Sequence, residues 1–521
     1  MSDHPLAVEL RGVDKKFGTV HANKAIDLQV EAGTIHGIIG ENGAGKSTLM
    51  NILYGFYQAD KGEVLVDGEA KSINSPNDAI AAGIGMVHQH FMLVEPFTVL
   101  ENLLLGAEGG FTLKDGIAKA RAELIELENQ YNLQAPLDAK VADLPVGVQQ
   151  RVEILKALFR GAHVLILDEP TGVLTPQEAI DLFRILRNLK EQGRTVILIT
   201  HKLREIMAAT DRVSVMRGGA MVAHRATSET SKEELAELMV GRKVLTQVDK
   251  RPASAGETIL RVDDLDVVDA QNVRRVKSVS FDVLAGEIVG IAGVSGNGQT
   301  ELLEAIAGIR APSGGQILLR GQPINRFGHE RPDGLGHVPE DRLRMGLVRG
   351  FPAYENAILG YQSEPNFTAA NGLLNKSAMV QTCAEWMRSY DVRPPHPELD
   401  AVSFSGGNQQ KLVLAREIEH DPDLLLVGQP TRGVDIGAIE FIHQRLIAMR
   451  DAGKAVLLVS VELDEILSLA DRIIVMFDGE IMGTLDAGEA RENEIGLLMA
   501  GVRDAANNNA GSPEPAVEAP R

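Results

Sequence analysis

The chain has 521 residues, 44% of them apolar and 24% charged, which is enough for two domains of roughly 250 residues that each bury a core. Its formal net charge of −20 argues against a nucleic-acid partner, because phosphate contacts need clustered Lys and Arg. The one cysteine, Cys383, excludes an intramolecular disulfide and is expected as a small buried apolar residue. No run approaches the roughly 18 apolar residues of a membrane span, and Met1-Ser2-Asp3-His4-Pro5 lacks a signal pattern. The expectation is a soluble protein made in the cytosol, with no direct membrane insertion; any membrane role comes through a partner.

From Leu6 to Val30 apolar and polar residues alternate, making Val8, Leu10, Val13, Ile26, Leu28 and Val30 candidate strand faces. Phe17 lies between them, either as core or as a ring that stacks on an adenine, and the sequence leaves both open. Ile35 to Ile39 reads as a buried strand. It is followed by Gly40-Glu41-Asn42-Gly43-Ala44-Gly45-Lys46-Ser47-Thr48, and then by Leu49, Met50, Ile52 and Leu53 at helical spacing. Strand, G-x-x-x-x-G-K-S and helix together form a P-loop, in which backbone N–H groups and a helix N-terminus face a triphosphate such as ATP. Lys46 would reach the β- and γ-phosphates and the Ser47 hydroxyl would bind Mg²⁺. By chance the four constrained positions should arise in about one in fifty chains of this length, so nucleotide binding is preferred to a glycine-rich turn.

Further strands are predicted at Gly62 to Gly68 and at Gly83 to Gln89. Met92 to Gly106 is unusually apolar for a loop leading into a helix, and is either core or a groove for a partner helix. Asp115 to Tyr131 has helical spacing. Val164 to Leu167 is a buried strand that delivers Asp168 and Glu169 at its C-terminal end, where doubly wound sheets bind ligands. Asp168 would hold the Mg²⁺ through water, and Glu169 would orient and deprotonate the attacking water. His201, just past the strand Thr195 to Thr200, is expected as a γ-phosphate sensor.

The P-loop, Gln89, Leu144-Pro145-Val146-Gly147-Val148-Gln149-Gln150-Arg151, Asp168-Glu169 and His201, in this order and spacing, resemble the nucleotide-binding domain of an ABC transporter. The resemblance implies an α/β fold, with a RecA-like P-loop core, an antiparallel β subdomain and a helical signature subdomain. It also implies Gln89 as a Mg²⁺ ligand and catalytic contact. The block at 144 departs from the family's L-S-G-G-Q signature, with Pro145 at the serine position and Val146 at a glycine position.

The pattern then repeats. Residues 1–243 are read as the first domain, 244–256 as a polar linker, 257–503 as a second copy and 504–521 as a disordered tail. Gly147, Asp211 and Gly241 recur as Gly407, Asp471 and Gly501. In the second P-loop Gln299 replaces the lysine, Gly428-Gln429 replaces the Asp-Glu pair, Val461 stands at the histidine position, and Glu340 lies near the Gln89 position. Its signature, Ser405-Gly406-Gly407-Asn408-Gln409-Gln410-Lys411, is intact, and Asp435 keeps an aspartate that the first copy replaces with Thr175.

ABC domains of this kind pair head to tail, each ATP lying between the P-loop of one domain and the signature of the other. The resemblance therefore implies one competent site, built from Lys46, Ser47, Gln89, Asp168, Glu169 and His201 with Ser405 to Gln409 and Asp435. The other, built from Gln299, Gly428, Gln429 and Val461 with Pro145, Val146 and Thr175, is degenerate and at most holds nucleotide. The layout is similar to the ATPase subunit of bacterial importers for simple sugars and nucleosides, nearer the nucleoside branch through Val87 to Val94 and Gly293 to Gln299. That resemblance implies two membrane-spanning permease subunits, an extracytoplasmic substrate-binding protein, and a peripheral place on the cytoplasmic face of the membrane. The permeases would dock near Met92 to Asn102 and Leu347 to Asn356. Ribosome-associated translation factors share the tandem layout but usually have two competent sites and basic surfaces. DNA-repair or chromosome ATPases would require a long coiled coil or zinc cysteines.

Overall fold

Strand pairing splits the chain into two topologically equal halves. The computed structural model describes residues 5–502 except 19, 89–90, 107–112, 173, 175, 244–249, 295, 326, 329–330, 369–370 and 435. The chain divides into two units, Met1–Thr246 and Gln247–Arg521, with the division falling inside the stretch read as a linker. Gln89, Thr175, Asp435 and the 504–521 tail lie outside the described residues.

Unit one contains β1 (Leu6–Phe17), β2 (Val20–Glu31), β3 (Ile35–Gly40), β4 (Lys61–Val66), β5 (Glu69–Ala70), β6 (Ile84–Val87), β7 (Val164–Asp168), β8 (Thr195–Ile199), β9 (Arg212–Arg217) and β10 (Ala220–Ala226). The alternation in the first segment makes an antiparallel sheet of order β2-β1-β4-β5, with Val8, Leu10, Val13, Ile26, Leu28 and Val30 all buried. The second sheet has the order β10-β9-β3-β8-β7-β6, parallel from β9 through β6. Its central strands are continuous apolar runs because both faces are covered. Along β7, Val164 and Ile166 pack toward the antiparallel sheet and the helix Lys46–Leu53, while Leu165 and Leu167 pack against Leu182, Leu186 and Leu189. A separate helical cluster joins Val99 and Leu103 to Leu124, Val152 and Leu155, from the helices Val99–Leu104, Leu113–Tyr131 and Val146–Phe159.

Unit two contains β11 (Thr258–Val268), β12 (Arg274–Leu284), β13 (Ile288–Ala292), β14 (Gly314–Leu319), β15 (Gln322–Pro323), β16 (Leu335–Val338), β17 (Leu424–Gly428), β18 (Ala455–Ser460), β19 (Arg472–Phe477) and β20 (Glu480–Asp486). Its sheets, β12-β11-β14-β15 and β16-β17-β18-β13-β19-β20, have the topology of unit one. The recurring aspartates keep their contact as well. Asp211 Oδ2 accepts the Ile35 N–H at 2.9 Å, and Asp471 Oδ2 accepts the Ile288 N–H at 2.9 Å. Cys383 is fully buried in the apolar core of unit two, and burial pushes its thiol up to about 12. No helix among the described residues is long and apolar enough to cross a membrane.

Candidate functional site

The loop after β3, the end of β7 and the loop after β8 bring three groups of side chains to one edge of the parallel sheet of unit one, because β3, β8 and β7 are neighbours. Gly45 adopts φ 100 immediately before the helix Lys46–Leu53; a Cβ there would meet Ala22 O at 2.3 Å, so the loop seats against β2 only with glycine. Lys46 is buried and folds over its own loop, its Nζ donating to Gly40 O at 2.7 Å and Glu41 O at 3.1 Å. Burial lowers the Lys46 pKa, an environment in which bound phosphate oxygens would replace the carbonyls as acceptors for its charge.

The Ser47 hydroxyl hydrogen-bonds the Asp168 carboxylate, whose pKa burial raises, with the adjacent Glu169 adding to the rise. Hydroxyl and carboxylate form the hard oxygen set that suits Mg²⁺, and a cation there would favour the ionised form that burial opposes. The residues fit the ion.

Glu169 sits at φ 47 and donates its backbone N–H to Ile199 O at 2.8 Å, which fixes the carboxyl at the sheet edge. Its Oε1 lies 2.9 Å from His201 Nδ1. That hydrogen bond holds the Glu169 carboxyl below its ordinary range against the opposing effect of burial, so it is ionised at neutral pH. Phe17 is 43% exposed, with an edge contact to Tyr57 at 5.2 Å and Lys15 Nζ over its ring at 5.5 Å, so it stands at the surface and not in the core.

The two signature helices differ at their starts. Ser405 caps the helix Gly406–Glu419, accepting the Asn408 backbone N–H and, at 2.8 Å, Asn408 Nδ2. A side chain at Gly406 would meet Arg342 at 2.5 Å and Gly433 O at 2.9 Å. Pro145 caps the helix Val146–Phe159 with no side-chain hydrogen bond, and Val146 is exposed.

In unit two Gln429 adopts the same backbone as Glu169, with φ 47 and its N–H on Val459 O at 2.8 Å, but its Oε1 accepts the Val461 N–H at 3.2 Å. Sequence reasoning placed Glu340 near the Gln89 position without its partners, and missed a pair of buried asparagines. Glu340 bonds the hydroxyl of Thr300 and the amide of Gln429. Buried Asn102 accepts the Val94 N–H at 2.7 Å and donates to Val94 O at 3.1 Å and Thr98 O at 3.0 Å, and Asn356 repeats this on Val348 at 2.8 and 3.0 Å. The 254-residue spacing of these asparagines was the available signal. Around them Met92, Phe97, Val348 and Phe351 are exposed, while Val99, Leu100 and Leu103 are buried, so the apolar stretch supplies both core and surface.

The profile of the "ABC transporter" family matches residues 23–172 and 276–432. The guanosine import ATP-binding protein NupO of Bacillus subtilis (strain 168) is 49% identical over 95% of this chain and 97% of its own. The nucleoside import ATP-binding protein NupA of Lactococcus lactis subsp. cremoris (strain MG1363) is 47% identical over 95% and 98%. The glucose import ATP-binding protein TsgD13 of Haloferax volcanii is 44% identical over 96% of each.

Proposed function

The chain belongs to the ABC transporter family, as an ATPase of that type, and on that premise we propose that it powers nucleoside uptake by an importer through one hydrolytic site and one non-hydrolytic site. The observation that carries the asymmetry is the Glu169–His201 pair at 2.9 Å in unit one, set against Gln429 and Val461 on the same backbone in unit two.

In this reading the P-loop N–H groups and Lys46 bind the β- and γ-phosphates of ATP, and Phe17 stacks on the adenine. Ser47, Asp168 and Gln89 hold Mg²⁺, which when bound supplies charge and polarises the phosphoryl oxygens. Glu169 accepts the proton of the attacking water. His201 keeps the Glu169 carboxylate oriented and ionised and senses the γ-phosphate. Ser405, Gly406, Gly407, Asn408, Gln409 and Asp435 complete the γ-phosphate clamp, so that domain closure is tied to ATP and reopening to hydrolysis.

The exposed Met92, Phe97, Val348 and Phe351 fit cytoplasmic helices of two permease subunits, which place the chain peripherally on the cytoplasmic face, supplied by an extracytoplasmic binding protein. Nucleoside as cargo rests on the similarity to the guanosine and nucleoside import proteins; the glucose import relative makes a simple sugar the competing cargo. The test is ATP-driven uptake in vesicles that hold the assembled transporter. Guanosine or uridine should accumulate, and Lys46→Ala should abolish it; uptake of hexose alone would overturn the nucleoside assignment. Co-sedimentation with ribosomes in place of membranes would overturn import altogether.

A further inference from the structure

The second unit has lost the carboxylate at Gly428, yet a carboxylate still meets its P-loop hydroxyl. In unit one the pair is Ser47 with Asp168; in unit two it is Thr300 with Glu340, which comes from the loop after β16 rather than from β17. The exchange is sterically linked. A Cβ at Gly428 would lie 2.5 Å from Glu340 Cγ and 2.9 Å from its backbone nitrogen, so Glu340 occupies the space that an aspartate at 428 would need. The phosphate loop itself is preserved. Gly296 and Gly298 hold φ 91 and 94, as Gly43 and Gly45 hold 81 and 100, and a Cβ at Gly298 would meet Arg275 O at 2.1 Å, as one at Gly45 would meet Ala22 O. Gln299, like Lys46, is buried and turned back over the loop, its Nε2 at 2.1 Å from where a Cβ of Gly293 would stand. Gln429, at the position of the base, ties Glu340 in place.

We propose that unit two holds a divalent cation with a nucleoside triphosphate, through Thr300 and Glu340, and that Glu340 replaces the missing aspartate as the protein's carboxylate at that cation. This deepens the reading of the chain as an asymmetric ABC ATPase and rests on it. Decay without function would not remove one carboxylate and supply another to the same hydroxyl. The site keeps a cation ligand set of hydroxyl and carboxylate oxygens but has no lysine and no base, so it retains Mg²⁺–triphosphate without cleaving it.

The test counts Mn²⁺ bound to the full-length Glu169→Gln chain in the presence of ATP, by loss of the free-ion electron paramagnetic resonance signal. Two ions per chain are expected. Glu340→Gln and, independently, Thr300→Val should each reduce the count to one. Asp168→Asn should remove the other ion. Two ions retained in both Glu340→Gln and Thr300→Val, or a parental count of one that responds only to Asp168→Asn, overturns the proposal and leaves the first site standing. No ion responding to Asp168→Asn overturns the ATPase reading on which it rests.

Discussion

Glu169→Gln removes one ionised oxygen and leaves the rest of the site in place. Unit two already contains this substitution: Gln429 keeps φ 47 and the 2.8 Å bond from its N–H to Val459 O that Glu169 makes to Ile199 O. The fold therefore accepts an amide at this point, and stability should change by no more than about 1 kcal/mol, one hydrogen bond's net contribution. What is lost is the carboxylate proposed as the base, which His201 at 2.9 Å holds ionised. General-base catalysis contributes about 10²- to 10⁴-fold, or roughly 3 to 5 kcal/mol of barrier. Phosphate release by the assembled transporter should fall by that factor, while ATP affinity, set by Lys46 and the loop amides, stays within about threefold, below 1 kcal/mol. Turnover above about a tenth of wild type would refute the assignment of Glu169 as the only base.

Three other outcomes follow. Pro145→Ser, in the signature assigned to the non-hydrolytic site, should leave ATP turnover nearly unchanged; a severe loss in the same phosphate-release assay would show that this site does more than hold nucleotide. Asn102→Ala should cost about 1–3 kcal/mol, because the Val94 backbone loses its buried partner, and should uncouple hydrolysis from uptake by loosening the loop around Met92 and Phe97. Burial lowers the buried His36, with His224 and Arg212 adding to the effect, from 6.5 to about 3. Between those values the unfolded state binds a proton that the folded state does not, so stability is full above about pH 6.5 and falls as pH drops toward 3. The loss is on the order of a few kcal/mol at about 1.4 kcal/mol per pH unit. Thermal melting of the full chain between pH 7 and 5 should show it for unit one, and His36→Gln should flatten the slope; an unchanged slope would mean that another group titrates.

What the sequence made legible was chemistry carried within a few consecutive residues. The glycine loop, the strand ending in Asp168-Glu169 and the alternating faces of β1 and β2 each carry their own periodicity or motif, and the repeat doubled the glycine-loop and strand patterns though not the Lys46, Asp168-Glu169 and His201 chemistry. What was not legible depends on contacts across the sheet. Glu340 and Gly428 are far apart in sequence, and only the parallel pairing of β16 with β17 brings Glu340 into the space at Gly428. The exposure of Phe17 and the division of Met92 to Gly106 into buried and open halves likewise depend on which neighbours the fold supplies. Glu417 is the same kind of case: it is fully buried between Arg416, Arg331 and the His337 N–H, which lower it to about 2, and nothing local in the sequence marks it.

The central claim is that one of two nucleotide sites turns over. It is tested most directly by trapping labelled ATP on the wild-type chain assembled with its membrane subunits and identifying each bound nucleotide after one cycle. Two nucleotides per chain, one as ADP and one as intact ATP, is the predicted result. Two hydrolysed nucleotides would contradict it, because the substitutions at Gln299, Gly428 and Gln429 would then leave unit two competent.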